Sequence, residues 1–226
     1  MELDKLNQFT KYEKIKSPFI KDENFKNTSE LAQKLPRGNW KKFEKVDGTN
    51  IRIIFDNIDE LGKRHVYVGS KNNILNYDDK NSQYYLNCLT NININKLIKY
   101  FQDIPNIIVI YGEGYGQGIQ KGGIYSLSKD FAVFDIVIGN TYQDYEYINK
   151  VCVDNQLYQV PYVEDVEELT YFECMDSLKK FQNTLILNGN GGKPEGLIYK
   201  FEPVLFNKYH ERLIFKIKFK DFMLEK

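Results

Sequence analysis

Two periods of hydrophobic spacing run along the chain. From Trp40 the pattern WKKFEKV has period two, and after Asp47-Gly48 the run NIRIIF keeps it, which predicts two strands around a tight turn. RHVYVGS (64–70) predicts a further strand, and the continuously apolar runs NIIVIYGEG (106–114) and FAVFDIVIG (131–139) have the form of buried ones. EGLIYKFEP and RLIFKIKF, near the end of the sequence, supply two more. Helical spacing marks NINKLIKYF (93–101), YEYINKVCV (145–153) and MDSLKKFQN (175–183). A capping residue followed by helical apolar spacing predicts a short helix over NTSELAQKL (27–35). No repeat or linker breaks the pattern, so the expectation is one α+β domain over residues 1–226 with a largely antiparallel sheet.

Composition narrows the function classes. The 226 residues are 42% hydrophobic and 15% aromatic, enough for a proper core. The 31 basic and 31 acidic side chains cancel, so any nucleic-acid contact must use a local patch rather than a global field. Cys88, Cys152 and Cys174 are widely spaced and odd in number, which argues against a disulfide framework and a thiolate zinc site and points to a reducing, cytoplasmic setting. No stretch has the roughly 18 uninterrupted apolar residues that a membrane helix needs.

Four segments hold candidate chemistry. In RLIFKIKFK (212–220), strand alternation turns Lys216, Lys218 and Lys220 one way and Leu213, Phe215, Ile217 and Phe219 the other. Lysines roughly 6.5–7 Å apart on one face are held together at low cost only where water or an anion screens them: either a solvated face or a phosphate cradle. EGLIYK places Glu195 at the start of a strand after the turn-rich NGNGGKP, and YGEGYGQGIQKGG (111–123) gathers six of the fifteen glycines around Glu113. That loop matches neither the phosphate loop ending in Gly-Lys-Ser/Thr nor the dinucleotide fingerprint. Lys45, just before the Asp-Gly turn, would become a nucleophile if desolvation or nearby cations lowered its pKa, and Arg52, Lys216 and Lys218 are the available cations.

Six elements in order carry a resemblance: K-x-D-G (Lys45, Asp47, Gly48), Ser70-Lys71, Glu113 in G-E-G, Phe134-Asp135 in F-D-I, E-G-x-x-x-K (Glu195 to Lys200) and K-x-K (Lys216, Lys218). Together they resemble the covalent nucleotidyltransferase superfamily of polynucleotide ligases and RNA capping enzymes. EKVDGTN is most similar to the ATP-dependent RNA ligases of the second bacteriophage type, although Asp47 stands where phage enzymes often have histidine. The resemblance implies a nucleotidyltransferase fold, with largely antiparallel sheets and flanking helices around an ATP cleft.

The resemblance also implies roles. Lys45 would form a lysyl-adenylate with ATP, Glu44 would read the adenine edge and Phe134 would stack on the ring. Glu113 would hold the ribose, Asn50 and Arg52 would lie near the phosphate and the incoming strand, and Lys216 and Lys218 would hold the α-phosphate. Glu195, with Glu113, would serve Mg²⁺, with Mn²⁺ as a substitute. The substrate implied is RNA with 5′-phosphate and 3′-hydroxyl ends, in a nicked duplex, sealed by a monomer with no membrane partner. With eight residues after Lys218, no C-terminal OB-fold domain is expected. The alternatives are a minimal DNA ligase and a non-catalytic RNA-binding relative. Lys200 does not share strand parity with Glu195, which calls for a bulge or a role at the strand end. Trp40 is expected in the core.

Overall fold

A computed structural model describes residues 2–186 and 192–222. The first half contains α1 (Leu3–Phe9), β1 (Phe19–Lys21), β2 (Asn27–Leu31), β3 (Asn39–Lys45), β4 (Thr49–Ile58), β5 (Arg64–Ser70), α2 (Gln83–Leu86), α3 (Ile94–Tyr100) and β6 (Ile108–Tyr115). The second half continues with β7 (Asp130–Ile138), β8 (Thr141–Tyr142), α4 (Tyr145–Asn155), β9 (Tyr158–Gln159), β10 (Tyr162–Val166), α5 (Tyr171–Lys180), β11 (Gly196–Glu202) and β12 (Ile214–Lys218). The α+β class and the antiparallel sheets are as the patterning predicts.

These elements form two compact units. The first comprises residues up to Glu13 together with Asp47–Gln159. Its sheet has the order β5-β4-β6-β7-β8, with β9 added parallel to β7. One face carries Ile51, Ile53, Phe55, Ile108, Ile110, Val133 and Ile136, packed with Leu97 and Phe101 around α3 and with Ile148 and Val151 of α4. The other face carries Ile54, Val109 and Tyr111 against Leu6 of α1. Asn93 and Asp144 cap α3 and α4 by accepting from the backbone N–H of Lys96 and Tyr147, which explains why those helices start where they do.

The second unit comprises Lys14–Val46 and the residues from Val160 onward. Four of its strands run antiparallel in the order β10-β3-β11-β12, and β1 and β2 pair as a separate ribbon. Trp40, Leu197, Tyr199, Phe201, Phe215 and Ile217 form the buried face, packed on Cys174 and Leu178 of α5. Trp40 is fully buried, edge-on to Phe201 at 5.0 Å.

Two sequence expectations are corrected. The segment 27–35 does not form a helix: Asn27–Leu31 is a strand paired with β1, and the hydroxyl of Thr28 donates to the carbonyl of Ile20 across the ladder instead of capping a turn. Tertiary pairing outweighs a weak local preference there. Lys45 and Thr49 do flank a tight turn, but β3 and β4 belong to different sheets. The turn is drawn to β6: the backbone N–H of Asp47 donates to the hydroxyl of Tyr125 at 2.9 Å, and a Cβ on Gly48 would lie 2.2 Å from the carbonyl oxygen of Gly114. Only glycine fits that approach.

Candidate active site

The ladder of the second unit fixes one set of predicted residues. Gly196 of β11 lies opposite Lys45 of β3 on one side and Lys218 of β12 on the other, and Ile198 lies between Phe43 and Lys216. Lys45, Lys216 and Lys218 therefore share the face of the sheet opposite Trp40 and Ile217. A Cβ on Gly196 would lie 2.0 Å from the carbonyl oxygen of Ile217, so glycine is what lets β11 approach β12 at this point.

Glu195 precedes that glycine, and its carboxylate accepts from both the Lys45 and the Lys218 ammonium. All three side chains are less than a fifth exposed. Burial by itself would raise the Glu195 carboxyl, but Lys45 and Lys218 more than offset it and hold the group below the ordinary carboxylate range. Lys216 has no ion pair of its own among the described residues. Burial, then the charges of Lys218 and Lys45, lower its pKa to about 8. The site thus holds three amines around one carboxylate, with Lys216 losing its proton at a lower pH than a free lysine.

Glu44 points the other way. It is 1% exposed on the core face, where its carboxylate accepts from the Thr184 hydroxyl at 2.6 Å and the Leu185 backbone N–H at 2.8 Å. Burial raises its pKa against those two bonds. Lys200 is 4% exposed, with its ammonium 5.0 Å from the centre of the Phe43 ring. The register of β11 with β3 and β12 is unbroken, so no bulge brings Lys200 toward Glu195.

The first unit positions the remaining candidates. Asn50 lies directly opposite Glu113 in the β4–β6 ladder, and the Asn50 Oδ1 is buried with no hydrogen-bond partner among the described residues. Phe134 is the extra residue of a β-bulge: Tyr111 pairs with Asp135 and Gly112 with Val133. The bulge turns the Phe134 ring onto the Tyr111 side of the sheet, where it stacks at 6.5 Å and meets Tyr12 edge-on at 5.1 Å. Asp135 is fully buried and accepts from the Tyr12 hydroxyl.

Arg52 has parity with Asn50, as the sequence predicts, but it is fully buried and committed to the fold. Its Nε donates to the Ser70 carbonyl at 3.0 Å, and its Nη1 donates to the Asn7 carbonyl and the Thr10 hydroxyl at 3.0 and 2.8 Å. Nη2 donates to the Asn7 side chain. The guanidinium therefore fastens α1 onto the sheet, and burial lowers its pKa. In this arrangement it is occupied by the chain rather than turned toward a phosphate. Lys71 is exposed, just beyond β5.

Sequence reasoning missed Lys42, which is 1% exposed on the core face of β3. Its ammonium pairs with Glu164 at 2.7 Å and Glu173 at 2.8 Å, donates to Ser177, and lies 5.7 Å from the centre of the Tyr199 ring. Period two in WKKFEKV was the available signal, since it places Lys42 with Trp40 and Glu44.

No group of three or more His, Cys, Asp or Glu side chains suited to a metal occurs among the described residues. A lone carboxylate such as Glu195 suits a magnesium-like ion held mostly by water and substrate phosphate oxygens.

A family model for RNA ligase matches residues 39–218. The chain belongs to the RNA ligase family. Among solved structures, Naegleria gruberi RNA ligase has the same fold. A form of that enzyme with ATP and Mn aligns with a TM-score of 0.58 and 22% identity, covering 92% of this chain and 62% of that one. The form with pyrophosphate gives 0.57 and 21%, covering 81% and 50%. The chain thus spans between half and two thirds of that ligase. No curated protein matches the chain significantly.

Proposed function

We propose that this RNA ligase family member is an ATP-dependent enzyme that joins 5′-phosphate and 3′-hydroxyl RNA ends through a lysyl-adenylate on Lys45. The observation that carries the reading is the bridge from Lys45 through Glu195 to Lys218, with Lys216 on the same face. The solved Naegleria relatives that bind ATP with Mn, AMP with Mn, or pyrophosphate support the choice of nucleotide.

In the first step the Lys45 ammonium leaves Glu195 and loses a proton to solvent, and the neutral amine attacks the α-phosphorus, its nitrogen releasing a second proton to water. A P–N bond forms, the bond from the α-phosphorus to the β-bridging oxygen breaks, and pyrophosphate departs with that electron pair. Lys218 and Lys216 stabilise the charge growing on the phosphoryl oxygens. Lys45 must leave its ion pair with Glu195 to react, and the arriving phosphate gives Lys218 a new anion to hold. A divalent cation, when bound, screens the triphosphate charge, and Glu195 is the carboxylate on this face that would hold it. The AMP then passes to a 5′-phosphate of RNA, and a 3′-hydroxyl displaces it to make the phosphodiester.

By the same resemblance Phe134, Asn50 and Glu113 of the first unit are proposed as nucleotide contacts, Asn50 and Glu113 from facing positions of the β4–β6 ladder. The unpartnered Asn50 Oδ1 fits a donor from the ligand. Any reading of the adenine edge by Glu44 would use its backbone or exchange its bonds to Thr184 and Leu185. We further propose a monomeric adenylyltransferase core acting in the cytoplasm. Cys88 and Cys152 are buried, and burial pushes their thiols up to about 11 and about 12, which fits unreactive structural thiols.

The test follows label from α-labelled ATP. It should appear on the protein, move to the 5′ end of a nicked RNA duplex, and leave as AMP when the nick is sealed. Sealing of nicked DNA in preference to RNA, or dependence on GTP or NAD, would overturn the reading.

A further inference from the structure

The Lys216 and Lys218 face continues into a groove of about 650 Å³ within the second unit, between the segment from Lys14 to Lys26 and the end of β12. Seven lysines line it, and Asp221 is the one carboxylate among its described lining residues. Part of this charge is internally matched: Lys21 pairs with Asp221 at 3.1 Å, and Lys16 pairs with Glu211. Lys26 and Lys220 have no carboxylate partner among the described residues, and Lys26 donates to the backbone carbonyl of Lys220 instead.

Phe25 lies in the same lining with 77% of its surface exposed. Its φ of +59° is a left-handed conformation that a bulky residue rarely adopts. A tight loop holds it there, with Asp22 Oδ1 accepting from the backbone N–H of Asn24 at 2.9 Å and of Lys26 at 2.7 Å. An exposed ring beside uncompensated lysines is the chemistry of single-stranded nucleic-acid binding, in which cations follow the phosphates and an aromatic face stacks on a base.

We infer that this groove is a track for a single-stranded segment of RNA, with Phe25 as a base-stacking platform and Lys26 and Lys220 on the phosphate backbone. The inference rests on the ligase reading for the choice of polymer. It assigns binding residues outside the adenylylation chemistry.

The experiment compares the wild-type chain with Phe25→Ala and with Phe25→Ala/Lys26→Gln/Lys220→Gln. Anisotropy of a labelled, 5′-phosphorylated single-stranded RNA is measured across a salt series, alongside protein adenylylation from α-labelled ATP. The triple variant should bind RNA at least tenfold more weakly. Its salt dependence should flatten by about 1.4 in log–log slope, from about 0.7 for each of two lost phosphate contacts. Phe25→Ala alone should weaken binding with the slope unchanged, and adenylylation should be unaffected in both. Unchanged RNA affinity and slope would overturn the inference. So would loss of adenylylation with RNA affinity retained, because the groove would then serve the triphosphate. A wild-type chain that never takes label would sink the ligase reading alone, while the anisotropy would still decide the groove.

Discussion

Lys45 and Lys218 flank the same residue of β11, Gly196, and their ammoniums share the carboxylate of Glu195. Three strands far apart in sequence thus place the proposed nucleophile, its counter-ion and the proposed phosphate-binding cation on one sheet face. In the proposed mechanism this ion pair holds the Lys45 amine until an anionic substrate competes for it.

Glu195→Gln should retain the fold and slow adenylylation by roughly 10²–10³-fold, the usual cost of one electrostatic contact in such a site. Without the carboxylate, Lys45 and Lys218 face each other uncompensated. Single-turnover labelling at saturating ATP measures this, and a rate within threefold of wild type would remove Glu195 from the chemistry.

Lys216 gives a pH signature. Its folded pKa of about 8 is below its ordinary value, so it is charged below about pH 8 and neutral above. Binding of α,β-methylene ATP, which keeps the α-phosphate and cannot release pyrophosphate, should therefore weaken as pH rises through about 8, with proton uptake on binding. For folding the sign is opposite: the unfolded chain holds this proton up to its higher ordinary pKa, so the Lys216 contribution to stability rises with pH between the two values. Glu195 has the same sign of slope, at acid pH. Its depressed pKa contributes stability above the ordinary carboxylate value that is lost as pH falls through the folded one. Calorimetric titration in buffers of different ionisation enthalpy tests the proton uptake, which Lys216→Ala should abolish.

The buried Lys42 predicts a large stability effect. Lys42→Ala leaves Glu173 and Ser177 without their cation and should cost about 3–5 kcal/mol, the range for breaking a buried ion pair. Urea unfolding measures it, and a loss under 1 kcal/mol would mean that the network is solvated. Lys41→Ala serves as the control, since its ion pair with the half-exposed Asp165 should contribute less than about 1 kcal/mol.

The alternation that identified β3, β4, β11 and β12 also carried the shared face of Lys216 and Lys218, because period two is a backbone property. What no local pattern contains is the tertiary partner. Arg52 is bound by Asn7 and Thr10, more than forty residues earlier, and Phe134 is turned by a bulge whose register exists only once β6 pairs with β7. β10 carries little apolar signal because YVEDV lies at the sheet edge with three of its five side chains exposed and none buried. The segment 27–35 reads as a helix until β1 claims its backbone. Part of the glycine-rich run before Glu195 lies outside the described residues.

The central claim is that the Lys45 amine bonds to AMP. Intact mass spectrometry after incubation with ATP and a divalent cation, followed by peptide mapping, tests it most directly. The predicted result is one AMP per chain on Lys45, removed by pyrophosphate and absent in Lys45→Ala. An adduct mapped to another residue, or an adduct that persists in a folded Lys45→Ala chain, would contradict it.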